Sequence, residues 1–156
     1  MVIFINGSIN SGKTTVGKLL AKRLNFKFLD FDSISGSMKN FDLTKDLPKV
    51  FKIGIKSIND LTTNGKNVVA VFVIRRKDYE NLKANIKDKS IFITLAPELK
   101  VALTNRGSRE LTQWHKDRIK YHYRTGIPTP KFGKIIDNSS IMPEESVNII
   151  CKQLGF

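Results

Sequence analysis

A three-layer α/β fold with a parallel sheet is what this chain predicts, and three observations predict it. Short apolar runs alternate with helical patterns along its 156 residues, the alternation that builds parallel sheets covered on both faces. One run, Val68 to Ile74, is apolar throughout, as a strand buried on both faces must be. The first run leads straight into Gly7-Ser8-Ile9-Asn10-Ser11-Gly12-Lys13-Thr14, which fills every fixed position of the phosphate-binding pattern G-x-x-x-x-G-K-[ST] in the strand, loop and helix setting that the pattern needs.

In chain order, Val2 to Ile5 reads as a short buried strand, and the glycines after it let the loop curl so that backbone N–H groups face phosphate oxygens. The helix that starts at Thr14 adds the positive end of its dipole. Gly7, Ser8, Asn10, Ser11, Gly12, Lys13, Thr14 and Thr15 are therefore the expected nucleotide-binding residues. Lys13 is read as a solvent-facing cation that reaches the β- and γ-phosphates, and Thr14 as a hydroxyl for Mg²⁺. Val16, Leu20 and Leu24 continue at helical spacing, and Asn25 is the expected stop.

Phe26 to Phe31 reads as the second strand. If the backbone stays extended, Asp30 and Asp32 share a face at its carboxyl edge, where ligands of open α/β sheets gather. The same two residues could instead be turn aspartates that cap the next helix. Residues 33 to 45 read as a loop, and Asp46 to Thr63 as a helix with Leu47, Val50, Phe51, Ile55, Ile58 and Leu61 on one face and Pro48 in its first turn. Asn64-Gly65 ends it. Val68 to Ile74 then runs into Arg75-Arg76 where many phosphate-loop enzymes place an acidic residue for Mg²⁺.

Lys77 to Lys87 is expected to be a surface helix, Ile91 to Leu95 a strand, and Glu98 to Thr104 a further helix. Asn105-Arg106-Gly107-Ser108-Arg109 is small and cationic, and a helix from Leu111 to Tyr123 carries Arg118. After the break at Gly126 to Pro130, Ile135 to Asp137 forms the last strand and Met142-Pro143-Glu144-Glu145 opens the last helix. His115 and His122 stand seven apart on the Arg118 helix; without a Cys/His cluster they read as partly buried polar residues, and Trp114 as packing.

The length fits one domain, residues 1–156. No basic leader and no apolar run near the ~20 residues of a membrane span is visible, so a soluble, cytoplasmic protein is expected. Cys151 reads as a small buried apolar residue. The net charge of +13 would suit nucleic acid, a membrane surface or an anionic substrate, but the lysines are dispersed, as on a solvated surface.

With a phosphate loop after the first strand, Phe28-Leu29-Asp30-Phe31-Asp32 at the second and an arginine-bearing segment before the last, the chain resembles the shikimate kinase and nucleoside monophosphate kinase superfamily, which includes the chloramphenicol phosphotransferases. The resemblance implies a five-stranded parallel sheet in the order 2-3-1-4-5, a substrate-binding region over about residues 33–64 and a lid over about 105–113. It implies that ATP and Mg²⁺ are used, that Asp30 helps to organise the metal, and that Asp32 contacts the acceptor hydroxyl. Arg109, with Arg106 beside it, resembles the lid arginine that acts on the transferring group, and Arg118 the arginine that grips an acceptor carboxylate. Asn138 lies in a turn similar to the one that borders the adenine. The chain departs from shikimate kinases at Val73-Ile74-Arg75-Arg76, which replaces a glycine-rich acceptor segment and argues against shikimate itself; Arg75 becomes a candidate acceptor contact.

The leading expectation is an enzyme that moves the γ-phosphoryl group of ATP to a hydroxyl of a small molecule, an anionic one being among the candidates. A nucleotide or nucleic-acid end kinase would use Arg75, Arg76 and the surplus lysines. A regulatory protein that holds ATP without efficient transfer is the third reading.

Overall fold

The computed structural model describes residues 1–105 and 110–156. Along the chain, β1 (Val2–Gly7) leads into α1 (Lys13–Leu24), and β2 (Lys27–Asp30) into α2 (Phe31–Gly36) and α3 (Leu43–Thr63). Next, β3 (Val68–Phe72) leads into α4 (Arg76–Asn85), β4 (Ser90–Leu95) into α5 (Leu99–Ala102) and α6 (Gln113–Arg124), and β5 (Lys134–Ile136) into α7 (Pro143–Leu154). The strands are parallel and lie in the order β2-β3-β1-β4-β5, the order the resemblance implies. Among the described residues no helix is long and apolar enough to cross a membrane.

Strand alternation divides the core in two. Val2 and Phe4 of β1 join Val68, Ala70 and Phe72 of β3 beneath α3 and α4, with Phe4 stacked on Phe92 at a centroid distance of 4.7 Å. Ile3, Ile5, Val69 and Val71 face the other way, onto Val16, Leu20 and Ala21 of α1 and Ile150 and Cys151 of α7. Cys151 is buried, as its isolation in the sequence suggested. Helix α1 approaches the sheet closely: a Cβ at Gly17 would sit 2.4 Å from Val71 Cγ1 and 3.2 Å from Phe28 Cε2.

Helices differ most from expectation between residues 31 and 46. The stretch read as a loop contains α2 and the start of α3. Two aspartates cause this. The Asp30 side chain accepts from Asp32 N–H at 2.9 Å and starts α2, while Phe31 is driven into the core at 1% exposure. Asp42 accepts from Lys45 N–H at 3.1 Å and its own N–H donates to Asp46 at 3.0 Å, a reciprocal cap that starts α3 at Leu43. Pro48 consequently lies inside the helix and not in its first turn. At the other end, Asn25 closes α1 with φ 55°, the left-handed conformation expected of it.

Candidate active site

The phosphate loop connects β1 to α1 at the carboxyl edge of the sheet. Asn6, fully buried, sets its start: its amide donates to Thr94 Oγ1 at 3.0 Å and its carbonyl oxygen accepts from Ile74 N–H at 2.8 Å, so one side chain joins β1, β4 and the end of β3. Gly7 has no room for a side chain, since a Cβ there would meet Ser11 Oγ at 2.3 Å and Leu95 O at 2.8 Å. Gly12 adopts φ 87° as the N-cap of α1. Helix α1 has no side-chain cap and no carboxylate in its first turn, so its N-terminal amides and dipole suit a bound anion.

Lys13 does not face solvent as expected. It is 7% exposed, and its ammonium donates to the Ser8 carbonyl at 3.4 Å, because α1 begins at Lys13 and turns the side chain back over the loop. Thr14 is half-buried and Thr15 exposed. Asn10, with φ 63°, donates to the Ala102 and Thr104 carbonyls at 2.9 and 2.8 Å. Asn138, 3% exposed, donates to the Ser11 carbonyl at 2.8 Å and so braces the loop from beyond β5. Ser11 Oγ is buried without a hydrogen-bond partner among the described residues.

The extended backbone that would have put Asp30 and Asp32 on one face stops at Asp30. Asp30 is half-buried, and burial pushes its carboxyl above the ordinary range, opposed by the Asp32 N–H and more weakly by Lys13 and Lys18. Asp32, in the first turn of α2, instead lines a cavity of about 330 Å³ beside the loop. Lys13, Arg75, Arg118 and His122 line it too. Arg118 lies over the Tyr121 ring, 5.0 Å from its centroid, which holds the guanidinium. Arg75 stands at the N-cap of α4, its N–H donating to Asp78 at 3.0 Å.

Of the two histidines, His115 is consumed by the start of α6, where its Nδ1 lies 2.8 Å from Thr112 Oγ1. His122 is 3% exposed, with Nδ1 3.1 Å from Ser8 Oγ. Burial first, then Arg118, Lys13 and Arg75, push its pKa down to about 4. Trp114 is 62% exposed at the rim of the cavity. Arg106 and Arg109 lie outside the described residues. Asn6 and the links of His122 and Asn138 to the loop were not read from the sequence. For Asn6 a signal existed, a polar residue between an apolar run and the first glycine of the motif; for the other two only the tertiary fold supplies the link.

No group of three or more His, Cys, Asp or Glu side chains that could hold a metal is present among the described residues. A divalent ion here would draw most of its ligands from phosphates and water, the usual habit of Mg²⁺.

Comparison with known proteins gives the same picture. The family model for shikimate kinase matches residues 9–121. The chain is 29% identical over 164 aligned positions to the shikimate kinase of Thermodesulfovibrio yellowstonii, covering 97% of this chain and 93% of that one. An unliganded sugar kinase from Janibacter sp. superimposes with a TM-score of 0.76 at 15% identity, over 99% of this chain and 94% of that one. The shikimate kinase of Aquifex aeolicus gives 0.63 at 19% identity, over 99% and 96%. At such identities the two structures speak for the fold. A phosphate loop at the sheet edge, an aspartate and two arginines around one cavity, and a family match over most of the length lead to one conclusion: the chain belongs to the shikimate kinase family and is an ATP-dependent small-molecule kinase.

Proposed function

We propose that the protein transfers the γ-phosphoryl group of MgATP to a hydroxyl of a small anionic molecule bound in the Asp32 cavity. One observation carries this reading: Lys13, Asp32, Arg75 and Arg118 converge on a single cavity of about 330 Å³ beside the phosphate loop, a size suited to a compact acceptor. Three cations against one carboxylate favour an anion there. Arg75 and Arg118 would grip its charged group, leaving its hydroxyl toward Asp32, which orients it and takes its proton. Lys13 and the N-terminal amides of α1 would hold the phosphates. MgATP, when bound, supplies the phosphoryl group and the neutralising charge of the metal. Thr14 and the half-buried Asp30 are the residues suited to that ion's shell. Residues 33–64 would serve as the acceptor-binding region and 105–113 as the lid, with Arg106 and Arg109 acting on the phosphates. Asn138 would support the nucleotide indirectly, through the loop.

Val73-Ile74-Arg75-Arg76 takes the place that the resemblance gives to the glycine-rich acceptor segment of shikimate kinases, which argues against shikimate itself as the acceptor. A second reading, a nucleotide or nucleic-acid end kinase, draws on a groove of about 1310 Å³ that shares Leu47, Arg75 and Arg118 with the cavity. Lys52, Lys56, Lys77 and Lys87 line it against Asp60 and Asp78, a density of positive charge suited to phosphodiesters.

The test is a screen for acceptor-dependent ADP release over hydroxy acids including shikimate and gluconate, nucleosides, nucleotides, antibiotics and 5′-hydroxyl oligonucleotides. Release with a small carboxylate- or phosphate-bearing alcohol, lost in Asp32→Asn, is expected. Preference for the oligonucleotide would favour the second reading. Binding of ATP with no acceptor raising ADP release would move the protein to the regulatory reading.

A further inference from the structure

Ser8, the first variable position of the phosphate loop, is fully buried and used at both ends. Its hydroxyl lies 3.1 Å from His122 Nδ1, while its carbonyl accepts from the Lys13 ammonium at 3.4 Å and from Ser11 N–H at 3.3 Å. His122 sits in the last turn of α6, 114 positions away, and its ring also lines the cavity that contains Asp32, Arg75 and Arg118. The second ring nitrogen, Nε2, has no hydrogen-bond partner among the described residues.

We propose that His122 is a positioning residue that couples the acceptor cavity to the phosphate loop through Ser8. The inference rests on reading Gly7 to Thr14 as the nucleotide site.

Among the described residues, the side chains of Asn10, Asn138 and His122 anchor this loop across the fold, and they are not alike. Asn10 bonds the Ala102 and Thr104 carbonyls, and Asn138 bonds the Ser11 carbonyl, and neither lines the cavity. His122 touches both loop and cavity. A ring buried only for packing need not line the cavity as well as bond the loop.

The coupling follows from imidazole chemistry. In the neutral ring one nitrogen donates and the other accepts, so fixing one role fixes the other. An acceptor oxygen that meets Nε2 thereby selects the role of Nδ1 toward Ser8, whose carbonyl carries Lys13. Protonation would make both nitrogens donors and abolish that choice. The surroundings keep the ring neutral: cations face it from α6 (Arg118), the start of α1 (Lys13) and the N-cap of α4 (Arg75), with Asp32 and His115 lining the same cavity. Because His122 meets the loop directly at Ser8, disturbing it should be felt by the nucleotide even with no acceptor present.

The experiment measures calorimetric Kd values for the Mg²⁺ complex of a non-hydrolysable ATP analogue in the full chain, Ser8→Ala, His122→Phe, His122→Gln and the Ser8→Ala/His122→Phe double variant. Fluorescence of Trp114, the single tryptophan and a lining residue of the cavity, is recorded at saturation. Each single variant except His122→Gln should bind roughly fivefold more weakly, the size of one buried hydrogen bond, and the double variant no more weakly than either. His122→Gln, whose amide can still bond Ser8, should recover most of the loss. The Trp114 response to nucleotide should shrink in Ser8→Ala and His122→Phe. Parent-like affinity in His122→Phe, or losses that multiply in the double variant, would overturn the inference. Absence of binding by the unaltered chain would instead remove the nucleotide-site reading beneath it. Should His122→Phe not fold, His122→Ala reads the same cycle.

Discussion

The Asp30 carboxylate accepts the backbone N–H of Asp32 at 2.9 Å, which makes one aspartate the cap of α2 and leaves the other's side chain to the cavity. The two should therefore fail differently. Asp32→Asn should keep ATP binding and lower phosphoryl transfer by roughly 10² to 10⁴, the range of general-base contributions. Asp30→Asn preserves the cap, since asparagine caps as well as aspartate, and should raise the Mg²⁺ concentration needed for activity. Mg²⁺ titrations of the rate, beside nucleotide Kd values, separate them; loss of ATP binding in Asp32→Asn would contradict the assignment.

Lys13→Ala should leave the fold in place and lower kcat by roughly 10² to 10³, as expected when a preorganised charge is withdrawn from a transferring group. Its 7% exposure and its bond to the Ser8 carbonyl place the ammonium in the loop before any ligand arrives. Circular dichroism confirms folding, and single-turnover rates give the chemical step.

Arg118→Ala should raise KM for the acceptor about tenfold or more with KM for ATP unchanged. Arg118→Lys should recover only part, because a point charge cannot reproduce the planar guanidinium over the Tyr121 ring. Steady-state kinetics with each substrate varied in turn reads this directly.

Gly17→Ala should destabilise the protein by about 1 to 3 kcal/mol, the usual cost of overpacking. Val71 Cγ1 stands 2.4 Å from the new Cβ, inside a strand fully buried between two neighbours. Urea unfolding should show a lower midpoint with an unchanged slope.

Stability should fall as pH drops from about 6.5 toward about 4, through His122. Its folded pKa lies below the unfolded value, so the unfolded chain binds the extra proton in that window; the contribution is full above 6.5 and is lost as pH approaches 4. At 1.36 kcal/mol per unit the effect is roughly 3 kcal/mol. Asp46, Asp88 and Asp137, whose pKa values are lowered from 3.8, act below this window. The half-buried Asp30 and buried Asp78 carboxyls, raised above 3.8, oppose His122 in its lower part, so the His122 share is read as the difference between the parent and His122→Gln. Unfolding free energies across it should flatten in His122→Gln.

The sheet was legible in the sequence because parallel strands advertise themselves as apolar runs, and β1 and β3 contain almost nothing else. The phosphate loop was legible because its glycines and lysine sit at fixed spacing. Helices α2 and the first turn of α3 were not, since their signals are single aspartates, Asp30 and Asp42, that read equally well as loop residues. The Asp32 cavity was half legible. Asp32, Arg75 and Arg118 could each be singled out, but their meeting with Lys13 and His122 depends on helices that cross the sheet edge from far along the chain.

The anchors of the phosphate loop also dictate when it can exist. Asn10 waits for carbonyls 92 and 94 positions further on, Ser8 for a histidine 114 positions on, and Ser11 for an asparagine 127 positions on. During synthesis the loop emerges long before these partners, and contacts of such separation form slowly. The segment that gives the chain its chemistry is thus among the first to be made and the last to be assembled, so a nascent chain that stops short of Asn138 holds the full motif and lacks the site.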